Sequence, residues 1–157
     1  MNKNQARCWS LWQPFADGCV SGEKKIETRG RNVNVRGTVY IHATARKELP
    51  IDVFVGIHQA KGGTAENFIS TDLYWQYRDG ISTVYGAIIG SVEIVGCVPI
   101  ERLYGTKYDT PLERAYGDWT PGRFGIILSN PKQLKKPVPA KGHQGFWFFG
   151  KGELTEG

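Results

Sequence analysis

At 157 residues the chain has the length of one domain and can bury a core without help from a metal, a disulfide or a partner. A composition of 40% hydrophobic and 22% charged residues excludes a disordered or fibrous chain, and 20 glycines favour a turn-rich β architecture over a helical bundle. The net charge of +5 is unevenly placed: residues 1–47 carry nine Lys and Arg against three acids, 48–118 carry five against ten, and 119–151 carry six against none. If the two basic ends meet in space, one face becomes basic, as a polyanion binder requires. The longest apolar stretch, Tyr85 to Ile100, is broken by Glu93 and three glycines and falls short of the ~20 residues of a membrane helix. Gln13, Pro14 and Asp17 interrupt the N-terminal segment, so no secretory leader is expected. Cys8, Cys19 and Cys97 lack metal-ligand spacing, which predicts buried thiols in the cytoplasm and no metal site.

In chain order, Cys8 to Leu11 reads as a short strand running into Gln13-Pro14, and Pro14 suits the first position of a helix that ends at Gly22. Phe15, Ala16, Cys19 and Val20 form the apolar face of that helix. Lys25 to Arg29 alternates with period two, predicting a strand with Ile26 and Thr28 on the core face and Glu27 and Arg29 on the outer face. Gly37 to Ala43 alternates again, with Val39, Ile41 and Ala43 inward and Tyr40 and His42 sharing the other face. After Pro50, the spacing of Ile51, Phe54, Val55 and His58 predicts a helix over 51–61, closed by Gly62-Gly63, and a weaker pattern covers 72–78. Tyr85 to Val98 reads as a long strand bent near Gly90 or Gly96. Segments 123–129 and 146–149 are further strands, and the Pro- and Lys-rich stretch 131–140 reads as the connection between them. Strands at the start, middle and end with helices inserted describe an α+β fold around a curled sheet, with a helical insertion at about 48–82.

Ser10-Leu11-Trp12-Gln13-Pro14-Phe15-Ala16, followed by Gly22-Glu23-Lys24-Lys25-Ile26-Glu27-Thr28-Arg29, resembles the ASCH domain family, whose signature reads G-x-K-x-x-E-x-R after an S-L-x-Q-P-aromatic-A start. Ile41-His42-Ala43, Gly86 to Val92 and Pro139 to Trp147 match in the same order, so the resemblance spans nearly the whole chain, 1–157, as one domain. It implies a PUA-like fold, a small curled β-barrel with peripheral helices, and a cleft near the signature. It also implies association with RNA or single-stranded DNA, and a short bacterial branch of similar proteins hydrolyses N4-acetylcytidine.

The residues make chemical sense without the family. Gly22 can take positive φ and let Lys24 project into a cleft. Lys24 and Glu27 reach one cleft only if the chain bends or bulges at Lys24-Lys25. Glu27 and Arg29, two apart on one strand face, either address a ligand together or form a routine surface pair worth ~0–1 kcal/mol. A carboxylate accepts from a base amino group, while Arg and Lys meet phosphate or carbonyl oxygens. Trp12 beside Gln13, and Tyr40 beside His42, are the aromatics best placed for stacking, worth ~1–3 kcal/mol per base. Trp147 and Phe149 are expected in the core. His42 is a base contact, a proton shuttle or a buried hydrogen-bonded residue; His58 is structural; Lys141 and His143 in the basic segment are ligand contacts.

Zinc-deaminase, Walker and nucleophile-elbow motifs are absent from the sequence, so any hydrolysis would be metal-free. In the amidohydrolase branch the resemblance implies a lysine that activates a threonine three residues later. Lys24 matches that lysine, but Glu27 occupies the later position, and Thr28 points the other way in an extended strand. The expectation is a cytoplasmic, cofactor-free domain that binds RNA, single-stranded DNA or a modified nucleoside through Lys24, Glu27 and Arg29. The alternative is a metal-independent amidohydrolase for a modified cytidine, with Lys24 and Glu27 catalytic. A third reading is a protein-interaction module in a transcription or translation assembly, using the acidic middle of the chain.

Overall fold

The fold is taken from a computed structural model, which describes residues 4–47, 49–64, 72–80, 83–150, 152 and 154. Six strands form one curled mixed sheet: β1 (Gln5–Leu11), β2 (Ile26–Arg29), β3 (Gly37–Ala43), β4 (Ala87–Pro99), β5 (Phe124–Pro139) and β6 (Phe146–Gly150). Their spatial order is β2-β5-β4-β3-β1-β6, and β1 with β3 is the parallel pair. The result is the half-barrel of a PUA-like α+β fold, with helices α1 (Phe15–Ser21), α2 (Ile51–Ala60), α3 (Asp72–Asp79) and α4 (Pro111–Tyr116) around it. Among the described residues no helix is long and apolar enough to cross a membrane.

Curling originates in β4. Its register against β5 slips between Ile88 and Gly90, between Ser91 and Glu93, and between Ile94 and Gly96, so the bend expected near Gly90 or Gly96 is present at both. Gly90 is obligatory there, because a Cβ would lie 2.2 Å from the Lys132 carbonyl oxygen and 2.8 Å from Val20. Inside the curl, Trp9, Leu11, Val39, Ile41, Val92 and Ile126 pack with Cys19 and Val20 of α1. Each such aliphatic side chain contributes roughly 1.5–3 kcal/mol by leaving water.

Several elements depart from their expected form. Helix α1 begins at Phe15, with Pro14 as the flanking residue, and Gly22 closes it at φ 83. The 131–140 stretch is not a connection: β5 runs through it for sixteen residues. Strand β2 pairs with β5 only from Phe124 to Ile127, so beyond that point one edge of β5 is unpaired by β2 and accommodates Pro131, Pro137 and Pro139. Lys132, Lys135 and Lys136 are exposed along this stretch. In α2 the buried residues are Phe54 and Ile57, while Ile51 is 51% exposed and His58 is half-buried. The apolar face is rotated because α2 packs on α4, with Gly56 against Ala115. Helix α4 was not foreseen; Thr110 caps it, its hydroxyl accepting from the Glu113 N–H at 3.1 Å.

Tyr40 and His42 do share a face, but that face is roofed. Tyr40 is buried with Cys8, Ile88 and Trp147 and does not reach a cleft. Only the His42 end of β3 emerges. Trp147 is buried and Phe149 packs beside it, as expected of core aromatics. The Ala140 carbonyl, which can only accept, lies 2.8 Å from His42 Nε2, so Nε2 carries the proton and Nδ1 accepts from the Ser10 hydroxyl at 3.2 Å. Trp147 Nε1 donates to the same Ser10 oxygen at 2.9 Å. Residues of β1, β3 and β6 are thus tied to the segment after β5.

Burial, helped by His143, pushes the His42 pKa below its ordinary value near 6.5. The unfolded chain therefore takes up this proton first as pH falls, so the stabilisation is complete above about pH 6.5 and is lost below it. Thermal melts between neutral and mildly acidic pH should show this loss in the wild type and a flatter slope in His42→Gln. Gly142→Ala, whose Cβ would lie 2.3 Å from the His42 ring, should destabilise at all pH values, by roughly 1–3 kcal/mol.

Candidate functional site

The turn after α1 delivers Lys24. Its backbone N–H donates to the Gly18 carbonyl at 2.9 Å, and Gly18 leaves room for it, since a Cβ there would sit 3.1 Å from that of Lys24. The Lys24 side chain is 1% exposed. Its Nζ lies 3.0 Å from Glu27 Oε1 and donates to the Ile26 carbonyl. Glu27 Oε2 is 3.1 Å from Arg29 Nη2, giving a continuous Lys24–Glu27–Arg29 charge chain. The segment between Lys24 and Glu27 is held by Glu113, whose carboxylate accepts from the Lys25 N–H at 2.7 Å and the Ile26 N–H at 3.2 Å. Burial raises the Glu113 pKa, opposed by those two bonds and by Lys24.

Glu27 is not on an open outer face. It is 8% exposed, because β2 is covered on both sides: Ile26 packs with Ile100, Leu103 and Trp119, and the far side lines a cleft. That cleft measures about 1580 Å³. Small-molecule pockets are usually ~300–1,000 Å³, so this one has room for more than a single nucleotide. Glu27, Thr28 and Arg29 line it from β2, Trp9, Ser10, Trp12 and Phe15 from β1 and the start of α1, and Lys141 to Phe146 from the segment beside β1, where Phe146 stacks on Trp9 at 4.9 Å and the Ser10 N–H donates to the Gly145 carbonyl at 3.2 Å. The two basic segments of the sequence therefore meet here, Arg29 and Arg31 from the first and Lys141 with His143 from the second.

Of the nine residues expected at the site, Arg29, Glu27, Trp12, His42, Lys141 and His143 line this cleft. Trp12 is 45% exposed, with the Arg46 guanidinium 3.7 Å over its ring, and Arg29 lies 5.3 Å over Trp9. Lys24 does not reach the cleft surface; it is sealed behind Glu27. Gln13 is 1% exposed and structural: its Nε2 donates to Asp17 Oδ1 at 2.9 Å and to the Val84 carbonyl at 3.0 Å, and its Oε1 accepts from the Asp17 N–H. Tyr40 is in the core, as described above. Thr28, expected to face only the core, borders the cleft, although its Oγ1 accepts from the Asp118 N–H at 3.2 Å.

Sequence reasoning missed Glu113, Ser10 and Asp118. The Thr110-Pro111-Leu112-Glu113 run carried a helix-start signal, but nothing in it pointed to residue 25, 88 positions away. Cys19, packed beneath Lys24, has its thiol pushed up to about 12 by burial and is no thiolate at neutral pH. Among the described residues no group of three or more His, Cys, Asp or Glu is arranged to hold a metal. What the site offers chemically is a fixed acceptor between two cations, with further cations and an exposed indole along the same cleft.

No family model matches the chain. Two curated proteins are similar to it, the human and mouse activating signal cointegrator 1, 25% and 24% identical over 142 residues and 89% of this chain. The chain spans about a fifth of the length of these relatives, 22%. Among solved structures, an ASCH protein of Zymomonas mobilis superposes with a TM-score of 0.53 at 18% identity, covering 94% of this chain and 90% of the other. A sequence likeness to the cointegrators, a shared fold with the bacterial protein, and a Gly22-x-Lys24-x-x-Glu27-x-Arg29 signature that sets Glu27 and Arg29 on the cleft with Lys24 behind them together support an ASCH domain.

Proposed function

We propose that the cleft binds RNA or single-stranded DNA, or a modified nucleoside from either, within a single domain spanning 1–157. One observation carries this reading: a nearly buried carboxylate, Glu27, lines a large cleft that is also bordered by the cations Arg29, Arg31 and Lys141. Glu27 accepts from base N–H groups. Arg29, Arg31 and Lys141 meet phosphate or carbonyl oxygens, and Trp12 stacks on a base once Arg46 leaves its ring. His143 lines the same cleft. Lys24 acts through Glu27 and is a positioning residue. The three free thiols accord with a cytoplasmic setting.

A second reading, metal-independent hydrolysis of an N4-acylated cytidine, draws on the same Lys24–Glu27 pair. Glu27, held at 3.0 Å from an ammonium, would orient a water at the acyl carbonyl. Incubating N4-acetylcytidine with the protein and following free cytidine by mass spectrometry, beside an oligonucleotide binding assay, separates the two. A role in a protein assembly through the acidic segment 48–118 is what remains if neither binding nor turnover is seen.

Oligonucleotide affinity should fall with salt at a slope near −0.7 per neutralised phosphate, and Arg31→Ala and Lys141→Ala should each flatten it by one such increment. A slope that is zero, or untouched by both variants, removes phosphate from the site.

Lys24→Met should cost roughly 1–4 kcal/mol of stability by leaving Glu27 with the half-exposed Arg29 as its remaining cation, whereas Lys24→Met with Glu27→Leu should recover much of that loss. Chemical denaturation of the single and double variants measures the coupling. Thr28→Val should cost about 1 kcal/mol through the lost Asp118 contact and, although the residue borders the cleft, should not abolish function. Lost function in a folded Thr28→Val would instead restore a threonine nucleophile.

A further inference from the structure

Resting on the nucleic-acid reading above, we propose that Ser10 and His42 are positioning residues for ligand binding: they hold the 140–145 segment against the sheet and so fix where Lys141 presents its charge to a phosphate. Between Pro139 and Phe146 the chain has no helix or strand of its own. Its place on the cleft therefore depends on the contacts that tie it down.

Those contacts converge on the two side chains. At one end the Ala140 carbonyl accepts from His42 Nε2 at 2.8 Å, while the Ala140 N–H donates to the Gly86 carbonyl at 3.1 Å. At the other end the Gly145 carbonyl accepts from the Ser10 N–H at 3.2 Å. Between them Gly142 packs directly on the pair, since a Cβ there would lie 2.3 Å from the His42 ring and 3.0 Å from the Ser10 hydroxyl. Lys141 and His143 flank that contact, exposed and on the cleft. The His143 ring has a further support, meeting Trp147 edge-on at 5.4 Å.

The hydrogens of this network have one arrangement. An indole N–H only donates and a carbonyl only accepts. Trp147 Nε1 therefore donates to Ser10 Oγ at 2.9 Å, the Ser10 hydroxyl donates to His42 Nδ1 at 3.2 Å, and His42 Nε2 donates to Ala140. Both ring nitrogens are used within the protein, so His42 borders the cleft with no N–H or lone pair left for a base. Its tautomer is set by the Ser10 hydroxyl. Without that hydroxyl the proton can move to Nδ1, and the Ala140 carbonyl then faces a lone pair. A segment loosened in this way must be ordered when ligand arrives, which lowers affinity without removing a contact residue.

The test is fluorescence anisotropy on the full chain with a labelled polyuridine oligonucleotide, with salt slopes taken for the wild type, Ser10→Ala, Lys141→Ala and the double variant. Ser10→Ala should weaken binding by roughly 2- to 12-fold, the cost of ordering one long side chain. It should also flatten the slope by about 0.7, the increment of one phosphate, although position 10 carries no charge. In the Lys141→Ala background the same change should add little, because the contact it positions is already gone. A thermal melt establishes that Ser10→Ala is folded at the assay temperature. If it is not, His42→Asn, which keeps an acceptor toward Ser10 but loses the donor to Ala140, takes its place with the same expectations. Unchanged affinity, a loss of affinity with an unchanged slope, or an effect that adds in full to that of Lys141→Ala would each overturn this inference alone. Failure of the wild-type chain to bind the oligonucleotide would overturn the nucleic-acid reading, and this inference with it.

Discussion

The structure turns on the placement of one buried ammonium. Lys24 is among the largest fully buried side chains of the protein, and bringing its charge out of water costs several kcal/mol unless a carboxylate and further acceptors receive it. Glu27 and the Ile26 carbonyl do so, and this commits the chain to leave α1 at Gly22 and enter β2 with Glu27 facing Lys24. Two backbone N–H groups at the entry to β2, those of Lys25 and Ile26, are satisfied by the Glu113 carboxylate, which ties α4 to the start of β2. A buried ion pair adds little net stability over well-packed apolar residues, so its presence is better explained by what it presents, a carboxylate fixed on the cleft.

The insertion follows from the same corner of the molecule. Phe54 and Tyr77 pack edge to face at 5.1 Å, and the Tyr77 hydroxyl donates to Asp17 of α1 at 2.6 Å. Asp17 is in turn gripped by Gln13. The polar residues of the Ser10 to Ala16 signature thus hold helix to helix beside the cleft, and Val53 of α2 borders the cleft itself. The insertion is joined to the signature by specific contacts, and its role is bound up with the site's shape.

Local pattern carried most of the fold. Period-two alternation located β2 and β3, glycines located the bends of β4, and Pro50 with Gly62 bracketed α2. The failures share a physical cause, namely that periodicity reports one face and is silent on what covers the other. Glu27 and Tyr40 alternate like surface residues, yet the cleft wall covers one and Trp147 the other. Gln13 looked like a polar cleft residue because its three hydrogen-bond partners include a carbonyl 71 positions away. The 131–140 stretch read as a linker because proline disfavours strands in general, whereas an edge with no neighbour tolerates it. Charge bookkeeping by segment was met in part: Arg29, Arg31 and Lys141 border one cleft, whereas Lys132, Lys135 and Lys136 lie exposed along β5, outside its lining.

The Arg46 guanidinium over Trp12 has a consequence for the resting protein. An indole 45% exposed at the mouth of a cleft is an adhesive patch, and a stacked cation wets it without sealing it. Such a contact is worth about 0.5–1 kcal/mol at an exposed site. A base arriving at Trp12 therefore exchanges one π-partner for another. The exchange is too nearly balanced to dominate affinity, so stacking in this protein sets where a base lies more than how tightly it is held.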